Sequence, residues 1–261
     1  MRITTWNVNG LRAAIKKGFM QHLDVICPDI LLLQEIRCHP EQLPKEFQDP
    51  EGWCVHWHPA QRPGYSGTAI WSRTPVDDVV RGIEGNADEE GRVIAGSVKG
   101  VRLASIYLPS GSSGDARQKI KEDWLGFFGE WGEAQVDSAP LILGGDFNIA
   151  HTERDIFHAK SNQKTSGFLP HERQWFSDFL DCGWDDLVRR HFGNVNGPYS
   201  WWSNRGKARE LDRGWRIDYL LANRNASTMF RSASIHRDGG LEVSDHAPVT
   251  IEIDETMLRR D

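Results

Sequence analysis

The chain has little that would tie it to a membrane, an oxidising compartment or a repeat architecture. Its 261 residues include four cysteines, Cys27, Cys38, Cys54 and Cys182, at irregular spacings and with no C-x-x-C pair. Neither a zinc site nor a disulfide framework is suggested, and reduced, mostly buried thiols are expected. No apolar run approaches the ~20 residues of a membrane span. The first residues, Met1 to Trp6, lack the basic start and continuous apolar stretch of a signal peptide. A soluble, cytoplasmic protein without a membrane partner is therefore expected. Positive charge is not in excess either: 31 Lys+Arg against 37 Asp+Glu give a net charge of −6 and a pI near 5.9. That balance argues against coating nucleic acid through bulk charge but leaves local patches open. No fixed-period repeat, low-complexity tract or long Pro/Gly/Ser linker is present, so one domain over residues 1–261 is expected.

Of what is present, 39% hydrophobic and 26% charged residues suffice for a packed core and exclude disorder as the main state. Short apolar runs bounded by turn residues recur at Ile3–Val8, Ile30–Leu33, Thr68–Trp71, Val93–Val98, Leu103–Leu108, Leu141–Leu143, Ile217–Leu221 and Val249–Ile253. They predict strands, several buried on both faces. Helical patterns lie between them at Leu11–Leu23, Asp115–Ala134 and Glu172–Leu180. The chain is thus α/β throughout, with two packed sheets flanked by helices or a doubly wound sheet as the alternatives that periodicity leaves open.

Four polar clusters end apolar strands: Asn7 and Asn9 in WNVNG, Glu35 in LLLQE, Asp146 and Asn148 in LGGDFN, and Asp245 with His246 in VSDHAP. A single carboxylate after a strand is usually a turn former or cap. Together, three carboxylates, several amides and a histidine make an all-oxygen ligand set beside a base. Such a set selects a hard cation such as Mg²⁺ or Mn²⁺ and suits hydrolysis of a phosphodiester. Two further features stand out. The stretch from Trp202 to Arg216 carries Arg205, Lys207, Arg209, Arg213 and Arg216 against Glu210 and Asp212, interleaved with some of the eleven tryptophans, and reads as a phosphate-tracking loop. His56 and His58 alternate on one strand face but lack a third ligand for a metal.

The motifs WNVNGLR, PDILLLQE, GYSGTAIWSR, IYLPSG, LILGGDFNIAH, SGFLPHERQW, YSWWS, GWRIDYLL and SDHAPV occur in this order from Met1 to about Ile253. In that order and spacing the chain resembles the exonuclease III family of abasic-site endonucleases. The resemblance implies a DNase I-like four-layer αββα sandwich of two mixed sheets flanked by helices. It implies metal binding by Asn7, Glu35 and Asp245. It implies catalytic roles for Asp146, which orients or deprotonates water, for Asn148 and His246, which contact the phosphate, for Tyr107 beside the leaving oxygen, and for Asp218. Trp201, Trp215 and Ile217 would line a pocket for an extruded abasic sugar, with Trp202 and Arg205 as neighbouring DNA contacts. Ser110 stands where many members carry Asn or Gln and has less reach toward a phosphate. Asn9 stands where some carry Asp, so one ion is expected rather than two.

The implied activity is Mg²⁺-dependent cleavage of duplex DNA 5′ to abasic sites, leaving a 3′-hydroxyl, with 3′→5′ exonuclease and 3′-phosphodiesterase activity on blocked ends, by a monomer. Two alternatives share the fold. A catalytically silent nucleic-acid-binding regulator should have lost catalytic carboxylates, yet Glu35, Asp146, Asp218 and Asp245 are all present. A lipid- or inositol-phosphate hydrolase should lack the paired tryptophans and GWRIDY.

Overall fold

Strand parity decides which side chains reach the core and which reach the site. A computed structural model describes residues 1–83, 88–238 and 240–259. Within them lie strands β1 (Arg2–Asn7), β2 (Ile30–Gln34), β3 (Cys54–His58), β4 (Thr68–Ser72), β5 (Asp77–Arg81), β6 (Val93–Val98), β7 (Val101–Tyr107), β8 (Leu141–Asp146), β9 (Asp185–Asp186), β10 (Asp218–Ala222), β11 (Phe230–Ile235) and β12 (Val249–Ile253). Helices are α1 (Leu11–Lys16), α2 (Phe19–Ile26), α3 (Lys45–Gln48), α4 (Asp115–Gln135), α5 (Pro170–Asp181), α6 (Leu187–Phe192), α7 (Arg224–Ser227) and α8 (Gly240–Val243).

The strands form two six-stranded sheets, ordered β11-β12-β1-β2-β4-β3 and β5-β6-β7-β8-β10-β9. Both are mixed, with β1–β2 and β7–β8 parallel inside otherwise antiparallel ladders. Alternate residues of each inner strand face the other sheet: Ile3, Ile30, Leu32 and Ile70 meet Ile94, Leu103, Ile142 and Leu220. The intervening residues face outward. Trp6, Leu31, Leu33 and Trp71 pack on Leu11, Phe19 and Leu23 of α1 and α2. Ile106, Leu143, Tyr219 and Leu221 pack on Leu125 and Phe128 of α4 and Phe176 and Phe179 of α5. The result is the four-layer αββα sandwich, and the fully buried runs such as ILLLQ of β2 are apolar because both faces are covered.

One expected element differs. The pattern over Leu11–Leu23 is two helices, because Gly18 takes a left-handed φ of 94° between them and turns the chain.

Parity also delivers the polar residues. Positions 3, 5 and 7 of β1 point between the sheets, as do 142, 144 and 146 of β8 and 218, 220 and 222 of β10, so Asn7, Asp146 and Asp218 all emerge at the inter-sheet seam. Register aligns them: Tyr107 pairs with Asp146, Asp146 with Asp218, and Asn7 with Gln34. Beneath Asp146 the sheets approach closely at Gly144, where a Cβ would lie 2.6 Å from Leu32 and 2.9 Å from Leu220.

Candidate active site

At this end of the seam a cavity of about 360 Å³ is lined by Asn9, Glu35, Arg37, Tyr107, Ser110, Asp146, Asn148, Trp201, Trp215, Ile217, Asp245 and His246, with Ser112 and Thr165–Gly167 on the remaining wall. A larger surface cleft of about 490 Å³ lies along Glu153–Ser161 and contains none of these carboxylates. Its size gives it no chemistry, and the smaller cavity is where polar groups converge.

Asn7 is fully buried and acts as the floor. Its Nδ2 donates to Glu35 Oε1 at 2.8 Å and to Asp146 Oδ2 at 2.9 Å, while its Oδ1 accepts from the Asn9 amide at 2.9 Å. Asn9 Nδ2 in turn donates to Asp245 Oδ1 at 2.7 Å, and Trp201 Nε1 donates to Asp245 Oδ2 at 3.1 Å. Glu35 also pairs with Arg37, a half-exposed residue two positions on that the motifs did not single out. Two contacts orient Asn148 toward the cavity: its amide donates to Asp146 Oδ1 at 2.8 Å and its Nδ2 to the Leu108 carbonyl at 3.0 Å. Ser110 lines the cavity, with its hydroxyl 2.9 Å from that of Ser112.

His246 and Asp218 form a buried pair in which Nδ1 donates to Oδ2 at 2.9 Å, leaving Nε2 3.9 Å from Asp146. Asp218 does not line the cavity. It is held by the Ser200 hydroxyl, which donates at 2.6 Å and accepts from the amides of Ile217 and Asp218 at 3.1 Å each. Asp218 therefore positions His246, and Ser200, which lies in YSWWS but had no role assigned, positions Asp218. Asp146, Asp218 and His246 are also the group among the described residues whose candidate ligand atoms lie within 4.8 Å of one another. Asp218 and His246 are hydrogen-bonded to each other, and Asp146 is the member that also faces Asn7.

The electrostatics agree. Burial opposes the charged form of His246, but Asp218, then Asp146 and Asp245, outweigh it and raise the pKa to about 10. Burial pushes Asp146 up, His246 pulls it down, and Asp218 and Glu35 push it up again, leaving it at about 7. Tyr107 is driven well above its ordinary value by burial and by Glu35 and Asp146, so its hydroxyl remains a donor. Asp245, although burial alone would raise it, is held below the usual carboxylate range by His246, Asn9 and Trp201.

Trp201 and Trp215 exchange two backbone hydrogen bonds of 2.8 Å, and their rings meet edge-on with centroids 6.0 Å apart. With Ile217 they make the apolar side of the cavity. Trp202 is not the exposed DNA contact expected beside this pocket: it is 1% exposed, packs with Tyr199, Ala208 and Ala247, and donates from Nε1 to Asp212 at 3.0 Å. The alternation of neighbours places one tryptophan in the cavity and the next in the packing beneath the loop. The basic stretch needs a similar correction. Arg205 is exposed and outside the cavity, but Arg216 is 1% exposed and donates to Asp155 at 2.6 Å and Asp186 at 2.7 Å. Arg216 is a buried structural cation, not a phosphate tracker.

A strand-end carboxylate cluster facing an apolar pocket at the seam of two sheets suits metal-assisted hydrolysis of a phosphate ester. The chain matches the model of the Endonuclease/Exonuclease/phosphatase family over residues 4–246 and belongs to that family. Among curated relatives, the exodeoxyribonuclease of Bacillus subtilis is 37% identical, over 97% of this chain and 99% of its own length. The DNA repair nuclease APEX1 of Danio rerio is 34% identical, over 96% of this chain and 81% of its own. Among solved structures, a 3′ phosphatase from Neisseria bound to a product DNA hairpin superposes with a TM-score of 0.87 at 32% identity, over 97% of this chain and 99% of that one. An AP endonuclease from Archaeoglobus fulgidus gives a TM-score of 0.89 at 25% identity, over 97% and 99%.

Proposed function

We propose that the protein is a divalent-metal-dependent DNA repair phosphodiesterase that cuts duplex DNA 5′ to an abasic site and leaves a 3′-hydroxyl, with 3′→5′ exonuclease and 3′-phosphodiesterase activity on blocked ends. The observation that carries this reading is the placement of the Trp201–Trp215–Ile217 pocket directly beside the Asp146 and His246 side chains in one cavity. Names of relatives support it: two act on DNA as exodeoxyribonuclease and repair nuclease, and two solved neighbours are a 3′ phosphatase and an AP endonuclease.

The cleft fits a hard cation. Glu35 and Asp146 share one amide donor, Asn7, and Asp245 stands across the cavity, so oxygen donors carry more negative charge than Arg37 and His246 offset. Asn7, Glu35 and Asp245 would hold the ion, with Mg²⁺ expected and Mn²⁺ an alternative. The ion would neutralise charge on the phosphate, which is worth several kcal/mol in the transition state.

The chain's own groups supply the rest. Asp146 accepts a proton from the attacking water, whose oxygen bonds to phosphorus while the P–O3′ bond breaks. The leaving O3′ takes up a proton from solvent water and becomes the 3′-hydroxyl. His246, charged through Asp218, donates to a phosphate oxygen, and Asn148 and Tyr107 donate neutral hydrogen bonds to oxygens that become more negative. The two tryptophans and Ile217 favour a sugar that has no base over one that carries a base. The enzyme is taken to act as a monomer of one domain in the cytoplasm.

The test is incubation with end-labelled duplexes bearing an abasic analogue, a 3′-phosphate, a uracil or no lesion. Incision at the abasic analogue and removal of the 3′-phosphate, with the intact duplex cut far more slowly, is expected. Equal cutting of all four duplexes would contradict the pocket's role.

A further inference from the structure

Helix α4 buries Lys121, Leu125, Phe128 and Gly132 at core spacing, so a lysine occupies a position that an apolar side chain would fill without charge. Lys121 and its partner Glu172, on the first turn of α5, are each 0% exposed, with Nζ donating to Oε1 at 2.6 Å. Burial lowers the ammonium's pKa and Glu172 opposes that shift. A buried ion pair of this kind is poor evidence for stability, because well-packed apolar replacements are often neutral or better.

Both ends of the pair terminate in the cavity wall. Lys121 Nζ also donates to the Asn148 carbonyl at 2.9 Å. Glu172 Oε2 accepts from the amides of Gly167 at 2.7 Å and Leu169 at 3.0 Å. Asn148 takes a left-handed φ of 52°, a conformation asparagine adopts more readily than other non-glycine residues, and its carbonyl is thereby presented to Lys121. Gly167 is wedged in the same place: a Cβ there would lie 2.9 Å from the Asn148 carbonyl oxygen and 3.2 Å from the Trp215 ring. Asn148, the wall at Gly167 and the Trp215 ring therefore rest on one clamp.

We infer that Lys121 and Glu172 are positioning residues that fix Asn148 and the Gly167–Trp215 wall in the geometry required for phosphodiester cleavage. The inference rests on the reading of this cleft as the cleavage site. Misplacing such a group by about 1 Å costs on the order of 10²-fold in rate, and the loss should fall on turnover, since neither residue touches DNA.

Lys121→Met alone leaves Glu172 buried and unpaired and tests mainly folding. The informative variant is Lys121→Met/Glu172→Gln, which removes the charges, keeps an oxygen for the Gly167 and Leu169 amides, and deletes the donor to Asn148. Steady-state incision of an abasic-analogue duplex should show kcat at least about tenfold lower with KM within about twofold of wild type, in a variant that melts cooperatively. Wild-type kcat in the folded double variant, a loss confined to KM, or failure of that variant to fold would each overturn the clamp alone. A wild-type protein that cuts no phosphodiester would overturn the reading of the cleft together with it.

Discussion

The residues that matter most are those whose side chains answer one another across the sheet seam. Asn7, Glu35 and Asp146 are visible in the sequence because each is polar and ends an apolar strand, while Asp245 and His246, expected at a strand end, instead precede β12, which runs antiparallel to β1 and so starts at the same end of the sheet. Ser200 lies inside the YSWWS motif without a role that the motif reveals, and Arg37 lies outside every motif. Their roles depend on which distant residue they meet, and a serine or an arginine in a loop carries no pattern of its own. Trp202, expected as a DNA contact beside the pocket, is buried beneath the loop instead, since adjacent residues in an extended segment face opposite ways and the motif alone does not say which is turned inward.

Two outcomes follow at this scale. Glu35→Gln keeps shape and removes charge, so incision should fall by orders of magnitude with the melting curve unchanged, and raised Mg²⁺ should restore part of it. A variant that retained most wild-type incision at low Mg²⁺ would remove Glu35 from the ion's shell. His246→Ala should lower kcat by roughly 10²–10⁴-fold. Because Asp218 acts through His246, Asp218→Asn combined with His246→Ala should lose no more than His246→Ala alone. Additive losses in single-turnover rates would give Asp218 an independent role.

Elements were legible where they are central and obscure where they are edges. All eight inner strands were marked by apolar runs, while β3, β5, β9 and β11 are the outermost strands of the two sheets. An edge strand has one ladder partner and a half-exposed surface, so its pattern is diluted: β5 begins with two exposed aspartates, and β9 has two residues. His56 and His58 were the trace of β3.

The loop around Glu153–Asp155, α6 and the entry to β10 are joined by a buried network, with Asp155 paired to Arg216 at 2.6 Å and to Arg189. Burial alone would raise the Asp155 pKa, yet Arg216, then Arg189 and Thr152, depress it far below the ordinary 3.8. A depressed carboxylate stabilises the fold fully above its unfolded pKa, and that contribution is lost as pH falls toward the folded value. Asp155→Asn should thus be less stable than wild type by about 3–5 kcal/mol near neutral pH. The gap should hold constant above about pH 5 and narrow below the ordinary pKa. Chemical unfolding between pH 7 and 3 reads it directly, and a gap that widened on acidification would reverse the sign assigned to Asp155.

For the whole molecule, a net charge of −6 coexists with a proposed polyanionic substrate, which places the burden of recognition on the cavity and a bound cation rather than on bulk attraction. Selectivity then comes from shape. Trp215→Ala should slow abasic incision and narrow the ratio of abasic to intact cleavage while leaving the Mg²⁺ dependence unchanged; the ratio, taken with a melting curve, separates this from simple core damage, which would lower every activity in proportion. The central claim, that carboxylates at the sheet seam hold an ion and cleave the phosphodiester beside a base-free sugar, is tested most directly on one duplex with a single abasic analogue, incubated with Mg²⁺ or with chelator. The account predicts one incision immediately 5′ to the analogue, a 3′ end that a polymerase can extend, and no product in chelator. Incision that persists in chelator, or that leaves a 3′-phosphate, would contradict it.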